Sequence, residues 1–170
     1  MTRLGSIWRL LTLSSCLATA SIAAADTMHA VDADGRTELS LTRTDGAVRI
    51  VIMQTVVHDS YPYKDAILWG GDVGELPKTI VTSIQVRIGT EEIFIPLSAY
   101  SDLGNVKFAS IDSADHGFTL RIHGGDGATS YDAALAFKRT YLISREVALR
   151  EFPKERRDAT SYSFPARVKD

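Results

Sequence analysis

A period of two in the apolar and polar residues dominates the middle of the chain. Residues 118–123 (FTLRIH) and 84–88 (IQVRI) show it most clearly, and residues 93–97 repeat it. This alternation places apolar side chains on one face of a β-sheet and polar side chains on the other. Residues 48–57 (VRIVIMQTVV) are nearly all apolar and rich in β-branched side chains, which predicts a central strand covered on both faces.

Short turn signals separate these segments. Gly89 and Thr90 lie between two of them, and the runs 32–35 (DADG), 113–116 (SADH) and 138–140 (KRT) separate others. Glycine at the first position suits a tight two-residue hairpin, and Asp, Asn and Ser favour turns. About eight or nine short strands with regular turns predict an all-β fold, either an antiparallel β-sandwich or a partly open barrel.

Two segments depart from this pattern. Residues 58–78 make a connection that is long for a β-protein; such connections are usually functional or partly helical, and residues 64–69 could form a short helix. The apolar residues of 128–139 fit the period of a strand and also that of a helix. We favour the strand.

The first 25 residues differ in character from the rest. Arg3 and Arg9 precede an apolar run, and three alanines end it just before Asp26. A basic start, an apolar middle and small residues at the end predict a cleavable secretory signal peptide. The apolar run is too short to span a bilayer, which takes roughly 20 residues. We therefore expect a periplasmic or secreted protein with a single β-rich domain over 26–170.

Cys16 offers an alternative form of export. Residues 13–16 (LSSC) look like a lipobox, in which the cysteine is lipidated and becomes the new N-terminus. Only a few apolar residues separate Arg9 from Cys16, and the apolar run continues past it to Ala25, which favours cleavage near Ala25. The mass of the exported chain distinguishes the two forms.

The charge balance narrows the classes of partner. The chain carries 19 Lys and Arg against 21 Asp and Glu, for a net charge of −2. Removing the signal removes two arginines and no acid, so the mature chain is more acidic still. This argues against nucleic acid or an anionic membrane as a partner, and no later apolar run is long enough to span a membrane.

Cysteine and histidine usage bears on disulfides, metals and cofactors. Cys16 is the only cysteine, so we expect a mature chain without disulfides or a cysteine nucleophile. His116 and His123 flank a predicted strand, which separates them too far to share a metal. The run 124–127 (GGDG) lacks the spacing and the lysine of a phosphate-binding loop, and we interpret it as a turn with positive φ. We predict no metal and no cofactor.

The aromatic residues of the long connection are the main candidates for binding. Tyr61, Tyr63 and Trp69 lie in it, and aromatic side chains on a loop above a rigid sheet are typical of recognition surfaces. Trp69 could instead cover one end of the core, since large aromatic side chains are mostly buried. His123 and Asp126, where a predicted strand runs into the glycine-rich turn, are further candidates.

These observations favour an exported, non-catalytic binding protein, of the inhibitor or immunity type, that holds a protein, peptide or glycan partner through loops at one end of a sandwich. Two alternatives belong to other classes. A hydrolase would need His123, Asp126 and Ser130 to converge within hydrogen-bond reach. A structural subunit of a cell-surface assembly would need an exposed strand edge that another chain completes.

Overall fold

The computed structural model describes residues 27–44, 46–58, 68–70 and 75–164, and the predicted signal peptide lies outside them. These residues form ten β-strands and no α-helix. The strands are β1 (His29–Ala30), β2 (Gly35–Leu41), β3 (Val48–Val56), β4 (Thr79–Ile88), β5 (Glu91–Ile93), β6 (Val106–Ala114), β7 (Gly117–Gly124), β8 (Tyr131–Lys138), β9 (Tyr141–Leu149) and β10 (Arg156–Ser161).

The strands pair antiparallel in two sheets that share one core. The larger sheet has the order β1-β6-β7-β8-β9-β10, and the smaller sheet has the order β2-β3-β4-β5. Neighbours in each sheet are mostly consecutive in the chain, because short turns return each strand beside the one before it. The prediction of an all-β sandwich is confirmed, and so is the strand within 128–139, which is β8.

Three details of the strand prediction are wrong. The two-residue strand β1 has no sequence period and was not expected. The strand predicted at 93–97 ends at Ile93, because Pro96 has no N–H to donate and precedes a short 3-10 helix at Leu97–Ala99. The last strand, β10, was not expected at Arg156–Ser161 either, because its residues are mostly exposed and lack an apolar period.

The core consists of the inward side chains of both sheets. The alternation seen in the sequence places Phe118, Leu120 and Ile122 inside from β7, and the ring of Phe118 stacks on that of Phe137 with centroids 4.5 Å apart. Burying each such side chain contributes roughly 1.5–3 kcal/mol. The largest fully buried side chains include Tyr131, Phe118, Leu39, Ile50, Ile52, Leu103, Leu120, Ile122, Leu135 and Leu142.

β3 is central in the smaller sheet, as predicted, since it pairs with β2 on one side and β4 on the other. Its outer face is not fully covered, which corrects the expectation from its apolar sequence. Arg49 is exposed there, whereas its neighbour Val51 on the same face is 8% exposed.

Gln54 is a polar side chain inside this apolar core, and it links the two sheets. It lies on β3 and is 2% exposed. Its Nε2 donates to the carbonyl oxygens of Asp32 at 3.1 Å and Val106 at 3.2 Å, and its Oε1 accepts from the Val106 N–H at 3.0 Å. Val106 begins β6 of the larger sheet, so the amide pairs with it much as another strand would.

The two ends of the sandwich differ in the length of their connections. One end has tight turns: 89–90, 115–116 and 139–140 are two residues each, and 42–47 is longer. The other end, called here the loop-bearing end, carries five connections, among them the two longest, 57–78 and 94–105. These are 31–34, 57–78, 94–105, 125–130 and 150–155.

Replacing Gln54 with leucine should lower the free energy of unfolding by at least ~2 kcal/mol, because buried backbone groups lose their partners. Urea denaturation measures the change. Gln85→Leu is the matched control: Gln85 is exposed on the neighbouring strand, and its loss should cost no more than about 0.5 kcal/mol. Equal losses in the two variants would show that Gln54 does not link the sheets.

Candidate functional site

The candidate residues that the structure describes all lie at the loop-bearing end. Trp69 belongs to the long connection, His123 is next to the last residue of β7, and Asp126 follows in the next loop. Tyr61 and Tyr63 belong to the same long connection but lie outside the described residues, as does most of the short helix expected at 64–69.

Residues 102–105, called here the anchor segment, hold the long connection on the sandwich. The carbonyl oxygen of Asp102 accepts the N–H of Trp69 at 2.8 Å, and the N–H of Gly104 donates to the carbonyl oxygen of Trp69 at 2.9 Å. On the other side of the segment, the Leu103 carbonyl accepts the N–H of Val81 at 2.9 Å. The segment therefore lies between the connection and β4 much as a short strand would.

Asn105 connects several parts of this end. Its Oδ1 accepts the N–H groups of Lys78 at 2.8 Å and Thr79 at 3.2 Å, and its Nδ2 donates to the carbonyl of Gly70. Its own carbonyl accepts the N–H of Gly125 at 3.1 Å. Asn105 has a φ of 48°, a conformation that Asn tolerates better than most residues. One side chain thus holds the long connection at two points.

Glycine is required where the connection meets the anchor segment. A Cβ on Gly104 would lie 2.5 Å from the Cβ of Pro77 and 2.8 Å from the carbonyl oxygen of Trp69. A Cβ on Gly70 would lie 2.4 Å from the carbonyl oxygen of Gly104, and Gly70 has a φ of +86°. The backbones approach so closely that a larger residue at either position would move them apart.

Tyr131 supports the anchor segment from the larger sheet. It is fully buried at the start of β8, and its hydroxyl donates to the carbonyl oxygen of Gly104 at 2.9 Å. Burial, followed by the nearby charge of Asp102, raises the pKa of Tyr131 well above its usual range. The hydroxyl therefore keeps its proton and remains a donor. The ring also faces Trp69, with centroids 6.1 Å apart.

Arg145 supplies a second contact from the larger sheet. It lies on β9 and is 2% exposed. Its Nη2 lies 2.7 Å from each carboxylate oxygen of Asp102, and its Nη1 donates to Asp158 on β10. Arg145 is a buried charge, so it depends on these two partly exposed carboxylates to offset the cost of its burial. Asp102 is thus held to the edge of the larger sheet.

The position of Trp69 agrees with the interpretation in which this residue covers one end of the core. It is partly buried and packs against the hydrophobic core, with its backbone bonded to the anchor segment on both sides. The side chain covers the end of the core beside Tyr131. These contacts give Trp69 a structural role that does not depend on a binding partner.

His123 and Asp126, near each other in sequence, pair with different residues. His123 Nδ1 lies 2.5 Å from Asp132 Oδ1, directly across from it on β8, and 3.3 Å from Arg150 Nη2. Asp126 pairs with Lys107, and this hydrogen bond lowers the pKa of Asp126 below its usual value.

The hydrolase alternative depends on Ser130 as well. Its hydroxyl donates to the carbonyl of Gly127 at 2.7 Å. Within the part of the chain that the structure describes, no hydrogen bond joins His123, Asp126 and Ser130 to one another. The residue that His123 does contact, Asp132, was not predicted, although the two are equally spaced about the 125–130 connection.

The turn interpretation of residues 124–127 is confirmed. Gly125 and Gly127 have φ values of +75° and +47°, and the chain then enters strand β8 after a single 3-10 turn. A Cβ on Gly124 would lie 2.5 Å from the hydroxyl oxygen of Tyr131. These glycines serve the backbone geometry and the packing around Tyr131.

Over residues 27–44, 46–58, 68–70 and 75–164, no three His, Cys, Asp or Glu side chains are grouped so that they could hold a metal ion. The same residues contain no helix that is long and apolar enough to cross a bilayer. Comparison of the chain with protein families, curated proteins and solved structures finds no match.

Asn105→Gly should loosen the long connection, because glycine keeps the positive φ but loses the side-chain hydrogen bonds. We expect tryptic cleavage after Lys78, identified by mass spectrometry, to accelerate several-fold, with a loss of about 1–3 kcal/mol in unfolding free energy. Arg139→Gly is the control, since Arg139 also has a positive φ, of 56°, but lies in a turn at the opposite end. Unchanged cleavage after Lys78 in Asn105→Gly would contradict the role of Asn105.

Proposed function

We propose that this chain is an exported, non-catalytic protein that binds a protein, peptide or glycan partner through its loop-bearing end. The observation that carries the proposal is the unequal distribution of connections. Three two-residue turns and the six-residue connection 42–47 close one end, whereas the two longest connections, 57–78 and 94–105, join strands at the other. Loops grouped on a rigid sheet scaffold are the usual site of recognition in β-sandwiches.

The base of these loops supports binding for a second reason. The anchor segment is hydrogen bonded to buried residues of the larger sheet, Tyr131 and Arg145, and to β4 of the smaller sheet. A surface carried on a fixed base loses less conformational freedom when a partner binds, which preserves affinity.

The aromatic residues of the long connection provide the contacts in this proposal. Tyr61 and Tyr63 lie between Val57, whose N–H donates to the carbonyl of Lys78 at 2.8 Å, and Trp69, which is bonded to the anchor segment. Tyrosine combines a large apolar area with a polar hydroxyl and is enriched among residues that dominate binding energy. Trp69 is left out of the contact set because it packs on the core.

The exported location in the proposal depends on residues 1–25, which have the three parts of a secretory signal. Inhibitors and immunity proteins bind one partner and need no catalytic residues. Such a role agrees with the small, non-catalytic domain proposed here. The acidic net charge of the chain favours partners other than nucleic acid.

The proposal predicts that the double variant Tyr61→Ala/Tyr63→Ala loses its partner. The chain from Asp26 onward is immobilised and exposed to periplasmic extract or culture medium of the producing cells. Captured molecules are then identified by mass spectrometry. A partner held by the unmodified chain should fall at least tenfold with the double variant, because truncating two interface aromatics costs more than 1 kcal/mol each.

Tyr141→Ala is the matched control. Tyr141 is a partly exposed tyrosine at the start of β9, at the end with tight turns, so its removal should leave capture unchanged. Circular dichroism confirms that all variants are folded. Equal capture by the folded double variant, or loss in the control alone, would refute the loop-bearing end as the binding surface.

A further inference from the structure

The outer face of the smaller sheet carries three arginines around a shallow cleft. Arg36 lies on β2, Arg49 on β3 and Arg87 on β4. The cleft has a volume of about 140 Å³. Its lining residues are Arg36, Arg49, Val51, Gln85, Val86, Arg87 and Glu92.

Two of these arginines are placed where their charges repel. Arg49 and Arg87 are directly opposite each other in the antiparallel pairing of β3 with β4. Like charges at directly opposed positions destabilise a sheet. The carboxylates of this face lie to either side of the pair, with Glu38 on β2 next to Arg49 and Glu92 on β5 within 3.6 Å of Arg87. The two guanidinium groups thus occupy the middle strands, and the acids the flanking strands.

Glu38 holds two of the arginines in place. Its Oε2 lies 2.6 Å from Arg36 Nη2 and 2.7 Å from Arg49 Nη2. Hydrogen bonds from Arg49 and then Arg36 lower the pKa of Glu38 to about 2, so Glu38 is a carboxylate at neutral pH. Each guanidinium carries five N–H donors, more than one shared carboxylate accepts, so donors remain for another acceptor.

The size and floor of the cleft restrict its occupant. Pockets for drug-sized ligands usually measure roughly 300–1,000 Å³, so this cleft suits a single small group. Its floor includes Val51, which is 8% exposed, beside Gln85. An acceptor that contacts Val51 is partly shielded from water, which strengthens its attraction to the arginines.

We propose that this cleft is an oxyanion-binding site that takes a carboxylate or phosphate group between Arg49 and Arg87, with Arg36 at its rim. The planar guanidinium matches both groups through two parallel N–H donors. A bound oxyanion would lie between the two opposed positive charges and remove their repulsion. This proposal does not depend on whether the loop-bearing end binds a partner.

Titration of the ¹⁵N-labelled mature chain tests this site with inorganic phosphate in one arm and succinate in the other, at constant ionic strength. We expect saturable shifts in the backbone amides of residues 49–51 and 85–87 with at least one of the two anions. The arm that saturates at the lower concentration identifies phosphate or carboxylate as the preferred group.

Two variants locate the binding to the opposed pair. Arg49→Gln/Arg87→Gln should weaken binding at least tenfold. Arg87→Gln alone should weaken it several-fold while leaving both partners of Glu38 in place, which keeps the test valid if the double variant is unstable. Arg121→Gln is the matched control, because Arg121 is a half-exposed arginine paired with Asp112 on the outer face of the other sheet. Its affinity should equal that of the unmodified chain.

Three results would overturn the proposal. The first is the absence of saturable shifts with both phosphate and succinate. The second is unchanged affinity in Arg87→Gln. The third is a loss in Arg121→Gln as large as the loss in Arg87→Gln, which would show that the anions respond to overall charge and not to this cleft.

Discussion

Hydrogen bonds to residues 102–105 join both sheets of the sandwich to its longest connection. Tyr131 and Arg145 reach this anchor segment from the larger sheet, and the amide of Val81 reaches it from the smaller one. Asn105, at its end, then holds the connection itself. Breaking one of these contacts leaves a buried polar group without its partner, which costs free energy. The position of the long loop is therefore coupled to the integrity of the core.

The edges of the larger sheet bear on the alternative of a structural subunit. An unpaired edge invites another chain to add a strand, and natural sheets guard such edges with short strands, charges and bulges. β1 has two residues, and β10 carries Arg156 and Arg157 with a break in register between Arg156 and Asp158. Both edges of the larger sheet therefore show features that discourage the addition of a strand from another chain.

The local features of the fold were predictable from the sequence, whereas most of the site was not. The period of two and the tight turns depend on neighbouring residues, so they indicated the all-β class and the buried face of β7, and favoured the strand within residues 128–139. The role of Asn105 and the pairing of Arg145 with Asp102 depend on segments brought together only by the fold. For Arg145 the sequence offers one indication, because it is a charged residue within a segment whose other residues fit a strand. His123 and Asp126 were grouped because they are close in sequence, but the register of β7 with β8 places His123 opposite Asp132.

Native-state hydrogen exchange tests the central claim, that the anchor segment fixes the loop-bearing end to the core. The amides of Trp69, Gly104, Asn105 and Gly125 all donate to carbonyl oxygens at this end. Their exchange should be nearly as slow as that of the amides in β7 and β8, because opening them requires breaking contacts with buried residues. Exchange as fast as that of the two-residue turns at the opposite end would contradict the account, since the anchor segment would then open without the core.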